Sequence, residues 1–337
     1  MNIRDIARLA DVTASTVSKV LNNYPDISES TKQHVLKIIE ENQYVPNNNA
    51  RYLKLSSKVP QIGLFIEGIH NSVYEIMEEM LSAKFHNTGY TILTFHDDFY
   101  SQEKEEKFQE LLNYIKGHNL NGLIYIGGNF ESLSEEQLKS LPCPVIFTHT
   151  VLPTQMGDTG YSSVQMNHYE SAYKQMSYLI QKGHTHISTV ISSKEDKSVY
   201  GIRVKGYRNA LEDHHLLHNF DYIVEGKYGN ECTYLNLKEC LLKHPEISGV
   251  CCFADIMAPA VIRAIHDAGK IPGKDVQIIS FDGVDFVNYC IPSITTFVQP
   301  TQELIICIYD LLMGLISGER EHQHITFSAK LVLNESC

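Results

Sequence analysis

Apolar residues recur at two different spacings along this chain of 337 residues, and the change falls near residue 60. Before it the spacing is helical. Ile6 and Ala10 stand four apart, and Val17, Val20 and Leu21 form an i, i+3, i+4 set, as do Val35, Ile38 and Ile39. These sets predict three short helices. Between the first two lies ADVT (10–13), where Asp11 tolerates a left-handed turn and Thr13 caps the second helix. Ser28 is placed to cap the third. Isolated helices this short are marginal in water, so the three must share one core. Two helices joined by a tight turn, with a third closing the core, make a helix-turn-helix unit.

After residue 60 the texture changes to strands alternating with helices. Strand-like runs are QIGLFI (61–66), YTILTF (90–95), GLIYI (122–126), VIFT (145–148), ISTVI (187–191), GVCCF (249–253) and VQIIS (276–280). Between them lie helical patterns such as VYEIMEEMLSAKFHNTG (73–89) and EKFQELLNYIKGHNLN (106–121). This alternation predicts parallel sheets covered by helices. The units exceed one comfortable sheet, so two α/β lobes are expected, with ligand in the cleft beyond the carboxyl ends of the strands. IMAPAVIRAI (256–265) is apolar on nearly every side, which predicts a helix buried from more than one direction and suited to a subunit interface. Pro259 is tolerated there because the first turn of a helix has unpaired N–H groups.

Charge separates the two regions further. The chain carries a net −12, but residues 1–58 hold eight Lys/Arg against six Asp/Glu, and residues 59–337 hold 20 against 34. A mildly basic head on an acidic body suggests two tasks. The second predicted helix, within TASTVSKVLNN (13–23), turns Ala14, Ser15, Ser18, Lys19 and Asn22 outward. Small, hydrogen-bonding and cationic side chains on one face suit a helix lowered into the major groove of DNA. The segment QYVPNNNARYLKLSSK (43–58) follows, with Pro46 ending the third helix and ARYLKL able to form one or two further turns.

Other chemistry finds little support. No GxGxxG, Walker or GxSxG pattern occurs, so no enzyme activity and no cofactor are expected. Eight cysteines form no CxxC pair, and most sit in apolar runs, which predicts free buried thiols in a reducing cytoplasm. Sixteen histidines show no zinc spacing, and no metal is expected; His214 and His218, four apart, could share a helix face but lack a third ligand. The longest apolar stretch, Leu304 to Ile316, is 13 residues and includes Asp310, too short for a membrane span. MNIRDIARLA carries charges where a signal peptide needs an apolar stretch, which argues against export.

IRDIARLADVTASTVSKVLNN, followed by YVPNNNARYLKL, resembles the DNA-binding headpiece and hinge helix of the lactose/galactose-repressor (LacI/GalR) family of bacterial transcription regulators. The resemblance covers residues 3–55. It implies that Ala14 and Ser15 read bases, that Thr16, Ser18 and Asn22 contact phosphates and neighbouring bases, and that Lys19 reads guanine. Leu53 matches the hinge leucine that two subunits wedge into the minor groove, flanked by Asn47 and Ala50. Thr13, Ser28 and Thr31 complete the expected DNA-contacting set. Asp11 departs from the family's usual turn glycine.

The body also resembles that family's effector-binding core through KGHTHIS (182–188), RVKGYRNAL (203–211), FADIMAPAVIRAI (253–265), VQIISFDGVD (276–285) and IPSITTFVQP (291–300). The implied architecture is a small all-α helix-turn-helix headpiece plus an α/β, two-lobed, periplasmic-binding-protein-like core of two doubly wound parallel sheets. The expected domains are 1–46, a hinge helix and linker over 47–58, and a core over 59–337. Within the core, an N-lobe is expected at about 59–161 and 294–323 and a C-lobe at about 162–293 and 324–337.

By the same resemblance Arg203 and Asp282 are the paired effector contacts, and Tyr74 and Tyr228 are aromatic pocket positions. A carboxylate accepting from two hydroxyls and a guanidinium offering a fork of donors suit a polyhydroxylated ligand; a mutual salt bridge is the plainer alternative. Asp255 is either an effector contact or the N-cap of the helix that follows. Ala254 stands where some sugar-binding members carry a ligand-contacting Asn, and Asn334 where the family commonly carries Arg. The expected protein is a ligand-responsive regulator of transcription, a repressor of a carbohydrate-use operon, cytoplasmic and nucleoid-associated. Its expected partners are a pseudo-palindromic double-stranded operator, a sugar or sugar derivative and a second copy of itself. No terminal heptad repeat follows, so a zipper tetramer is not expected, and no membrane is involved. Purines, nucleosides, phosphorylated metabolites or a protein co-regulator are the alternative effectors, and a sugar-binding transport protein is the alternative from another class.

Overall fold

A computed structural model describes residues 3–21, 27–42, 59–68, 71–97, 104–153, 160–194, 197–216, 219–227 and 229–337, and the chain divides into two compact units, Met1–Pro60 and Gln61–Cys337. In the first unit, α1 (Ile3–Leu9), α2 (Ala14–Leu21) and α3 (Glu29–Glu41) enclose a core of Ile6, Ala7, Ala10, Val17, Val20 and Val35. Ile38 and Ile39 pack at its margin. The turn between α1 and α2 has the left-handed form expected of Asp11, at φ 47°, and the Val12 N–H closes it onto the Ala7 carbonyl at 2.9 Å. The expected hinge helix falls in residues 43–58, outside the described residues.

The second unit holds twelve strands among the described residues. In chain order they are β1 (Gln61–Glu67), β2 (Thr91–Asp97), β3 (Gly122–Gly127), β4 (Val145–Thr148), β5 (Ser162–Met166), β6 (Ile187–Ile191), β7 (Ile223–Glu225), β8 (Gly249–Cys252), β9 (Gln277–Asp282), β10 (Thr295–Val298), β11 (His324–Phe327) and β12 (Lys330–Val332). The helices are α4 (Ser72–Phe85), α5 (Lys104–His118), α6 (Glu135–Lys139), α7 (His168–Gln181), α8 (Val199–Asp213), α9 (Asn230–Lys243), α10 (Ala258–Asp267) and α11 (Thr301–Ser317). Two six-stranded sheets result, in the orders β11-β5-β4-β3-β1-β2 and β12-β10-β9-β8-β6-β7. Every pairing is parallel except that of β12, which runs antiparallel to β10. Strands flanked on both sides read as continuous apolar runs because helices cover both faces of the sheet; β3 is buried along its whole length. No helix of the described residues is long and apolar enough to cross a membrane.

The lobes are interleaved differently from the expectation. β5 pairs with β4, and β11 pairs with β5, so both belong to the first lobe rather than the second. β10 pairs with β9 and belongs to the second lobe rather than the first. The chain therefore crosses between sheets three times: at Asn167 after β5, at Gln299 and Pro300 after β10, and at Ser328 and Ala329 after β11. The expected boundaries missed these crossings because backbone pairing, which places a short strand in its sheet, leaves little trace in residue type.

Two other readings change. α10 is not apolar all round: Ala258, Ala260, Val261, Ala264 and Ile265 are buried, while Arg263 and His266 are exposed and both meet Asp267. Pro259 does sit in its first turn. His214 is the C-cap of α8, which ends at Asp213, and His218, its expected partner on a helix face, lies outside the described residues. The eight thiols are free, but only Cys240, Cys251 and Cys252 are buried outright. Burial raises the Cys252 thiol to about 12, far from the thiolate that reactive cysteines need.

Candidate functional site

In the head, the two predicted caps are formed. Thr16 donates its N–H to the Thr13 Oγ1 at 3.1 Å, and Thr31 donates its N–H to the Ser28 Oγ at 3.2 Å. The hydroxyls of Thr13 and Thr16 lie 2.9 Å apart and those of Ser28 and Thr31 2.7 Å apart, so these four expected DNA contacts also hold the starts of α2 and α3. Ser15 is exposed, and Lys19 and Thr16 are half-buried. Ala14, expected outward, is half-buried and packs against the head's core. Ser18 lies on α2, but its side chain is outside the description, as are Asn22, Asn47, Ala50 and Leu53 altogether.

In the core, the expected effector residues gather where the chain crosses between lobes. Ser198 caps α8, and Arg203 stands on that helix's buried face, 2% exposed. Its guanidinium carbon lies 3.8 Å from the centre of the Phe281 ring and 4.9 Å from that of Tyr200. Nη1 donates to the Phe253 carbonyl at 2.5 Å, and Nε and Nη2 approach the His168 Nδ1 at 3.3 and 3.2 Å. Asp282 ends β9 at φ 126°, a backbone region costly for any residue but glycine and often found at functional sites. Its Oδ1 accepts from the Gln299 Nε2 at 2.8 Å and lies 3.9 Å from the Arg203 Nη2. The pair is an ion pair, yet the closest hydrogen bonds of both partners go elsewhere.

Asp255 is not the N-cap of the following helix. Its Oδ2 accepts the N–H groups of Gly283 (2.6 Å) and Val284 (3.0 Å), and its Oδ1 accepts the Thr296 hydroxyl at 2.9 Å. The carboxylate thus pins the turn after Asp282 onto β10, a partnership spanning up to 41 residues that local sequence cannot announce. Burial raises the carboxyl of Asp255 to about 6 and that of Asp282 to about 7, with the Arg203 charge opposing the rise at Asp282. Tyr74 is buried in the first turn of α4 with its ring edge-on to His149, centroids 5.5 Å apart. Tyr228 lies outside the described residues.

Several members of this cluster were not anticipated. His149, just after β4, donates from Nε2 to the Gln299 Oε1 at 2.8 Å, and its Nδ1 lies 3.1 Å from the Thr148 hydroxyl. His168 opens α7, stacks edge-on to His149 with centroids 5.5 Å apart, and leaves Nε2 buried with no hydrogen-bond partner. Burial lowers His149 to about 4 and His168 well below its usual range, so both rings are neutral near pH 7. Two hydrogen bonds tie the lobes nearby: Asn71 Nδ2 to the Tyr200 hydroxyl (2.9 Å) and Asn129 Nδ2 to the Lys197 carbonyl (2.6 Å). The one sequence signal available was position, since His149 and Gln299 both stand immediately after strands.

A helix-turn-helix head ahead of a two-lobed α/β core with a buried polar cluster between its lobes defines a ligand-responsive, DNA-binding regulator of transcription. Comparisons with known proteins agree. Residues 2–47 match the bacterial regulatory proteins of the lacI family, and residues 176–337 match the periplasmic binding protein-like domain. The chain is 34% identical over 339 residues to the HTH-type transcriptional regulator MalR of Clostridium butyricum, covering 100% of this chain and 99% of that one. It is 30% identical to catabolite control protein A of Priestia megaterium (90% and 89% covered) and 27% to the HTH-type transcriptional repressor PurR of Vibrio campbellii (96% and 94%). The fold is that of the transcriptional regulator CelR in its cellobiose complex (TM-score 0.69, 20% identity, 100% of both chains) and of the lac repressor dimer bound to operator and the anti-inducer ONPF (TM-score 0.69, 19% identity, 100% and 98%). The chain belongs to the lacI family of bacterial regulatory proteins.

Proposed function

We propose that this protein is a cytoplasmic, nucleoid-associated repressor of a carbohydrate-use operon, acting as a homodimer on a pseudo-palindromic operator and released by an uncharged sugar. The observation that carries the sugar reading is the cluster around Arg203. Its guanidinium lies 3.9 Å from the Asp282 carboxylate, so that charge already has an anionic neighbour and does not stand open to a phosphorylated metabolite. Tyr200 and Phe281 pack against the guanidinium and hold its fork of donors in place, and such a fork beside a carboxylate suits the paired hydroxyls of a sugar. Solved structures of similar fold hold cellobiose, glucose and ribose, which supports the same class. Arg203 and Asp282 are the effector contacts in this reading, with Tyr74 and Tyr228 as pocket walls, while Asp255 shapes the site from behind. No catalytic step, cofactor or metal is involved. Sugar binding changes the lobes' closure, and that bias decides whether the paired hinge helices order on DNA.

The test begins by selecting bound sequences from a random DNA pool with the full chain, expecting enrichment of a two-half-site palindrome. The selected site is then titrated in the presence of maltose, cellobiose, glucose, ribose, glucose 6-phosphate and hypoxanthine. An uncharged sugar should lower operator affinity tenfold or more. Release by glucose 6-phosphate or hypoxanthine alone would overturn the assignment.

A further inference from the structure

The polar groups at the crossings form one directed chain. Asp282, ending β9 in the second lobe, accepts from the Gln299 amide nitrogen, so the amide oxygen faces the other way, toward His149 after β4 in the first lobe. That oxygen can only accept, so His149 carries its proton on Nε2. Its Nδ1 is then the acceptor for the Thr148 hydroxyl. Gln299 itself lies in the crossing from β10 to α11, is 4% exposed, and also takes the Asp282 carbonyl through its own N–H at 3.0 Å. A second route between the lobes passes from Arg203 through His168 to the His149 ring, but its last step is a ring contact without a hydrogen bond.

We propose that Gln299 is a positioning residue that couples the Asp282 carboxylate in one lobe to His149 in the other, so that the first lobe registers what Asp282 holds. An amide suits this task because one end donates while the other accepts, and neither end can swap without stranding a buried partner. A change at Asp282 that turns the amide must also disturb the His149 tautomer and its bond to Thr148. The functional consequence rests on the reading of Asp282 as an effector contact. The test uses neither ligand nor DNA, so its failure leaves the sugar assignment standing, and failure of that assignment leaves this coupling untouched.

The experiment is a mutant cycle on the full chain, read by thermal unfolding of the core. His149→Ala, Asp282→Ala and the double variant are compared in two backgrounds, with Gln299 and with Gln299→Leu, which keeps the volume and removes both hydrogen bonds. With Gln299 present, the double variant should depart from additivity by about 2 °C or more; with Gln299→Leu the departure should shrink below about 1 °C. Additivity in the Gln299 background, or an equal departure in both, would overturn the proposal, the latter placing the coupling on the ring route. Should Asp282→Ala not fold, the milder Asp282→Asn serves in a spectrum of histidine ring nitrogens. The His149 signal should then move on Asp282→Asn and on Gln299→Leu, while that of His184, bonded to Ser248 and Gln277, stays in place. A His149 signal indifferent to Asp282→Asn refutes the coupling.

Discussion

Asp282 combines a costly backbone, burial and two charged neighbours, and its carboxyl is raised to about 7 in the folded chain. A group raised above its unfolded value contributes stability at low pH that is lost as pH climbs through the folded value. The window is from about 4 to about 7. The neutral, buried His149 acts in the opposite sense: lowered to about 4, it makes the fold lose stability as pH falls from about 6.5. The two slopes offset each other in the native chain. Asp282→Asn removes one of them, so the stability of that variant relative to the native chain should improve steadily between pH 4.5 and 7.5. Urea unfolding at four pH values checks this, and a pH-independent difference would contradict it. Cys251 and Cys252, buried side by side at the end of β8, belong to the packing and not to this chemistry.

At the scale of the element, α2 owes its position to its two ends. Asp11 turns the chain by adopting a left-handed conformation, and Thr13 then meets the Thr16 N–H. Thr13→Ala should destabilise α2 by about 1 kcal/mol. Amide hydrogen exchange on the full chain should show faster exchange in residues 14–21, with those of α8 unchanged. Exchange in α2 as slow as in the native chain would mean that its packing onto Ile6 and Val35, not the cap, holds it. The turn after β9 depends on its neighbours in another way. Gly283 runs at φ 82°, and a β-carbon there would come within 2.7 Å of the Val298 backbone, so only glycine lets β9 and β10 lie this close while Asp255 grips the turn.

For the whole molecule, the three crossings explain how one small cluster can report to both lobes. Two of the three pass through it, at Asn167–His168 and at Gln299. Motion of one lobe against the other must therefore bend the chain next to buried, hydrogen-bonded polar groups, which favours two discrete arrangements over a continuum. The proposed DNA-bound dimer would add a second linkage. With Leu53 as the wedge at a kinked minor groove, Leu53→Ala should weaken specific operator binding by about tenfold or more and leave affinity for nonspecific DNA almost intact, since phosphate contacts carry the latter. Fluorescence anisotropy on the selected site and on a scrambled one separates the cases; equal loss on both would remove the wedge.

Much of this protein is written locally. Helix faces, the Asp11 turn, the caps at Thr13 and Ser28, and the alternation of strand and helix all follow from interactions within a few residues, and each is legible in the order of amino acids alone. So is the pairing of Arg203 with Asp282, through resemblance. The short strands β5, β7, β10, β11 and β12 are not, because three to five residues such as SSVQM or KLV become strands only when a neighbouring edge accepts their backbone. Nor are the partners of Asp255, or the Gln299 amide that meets His149 across 150 residues of sequence and Asp282 across 17. Residue type sets what a side chain can bond; only the path of the chain through its three crossings decided which groups would meet.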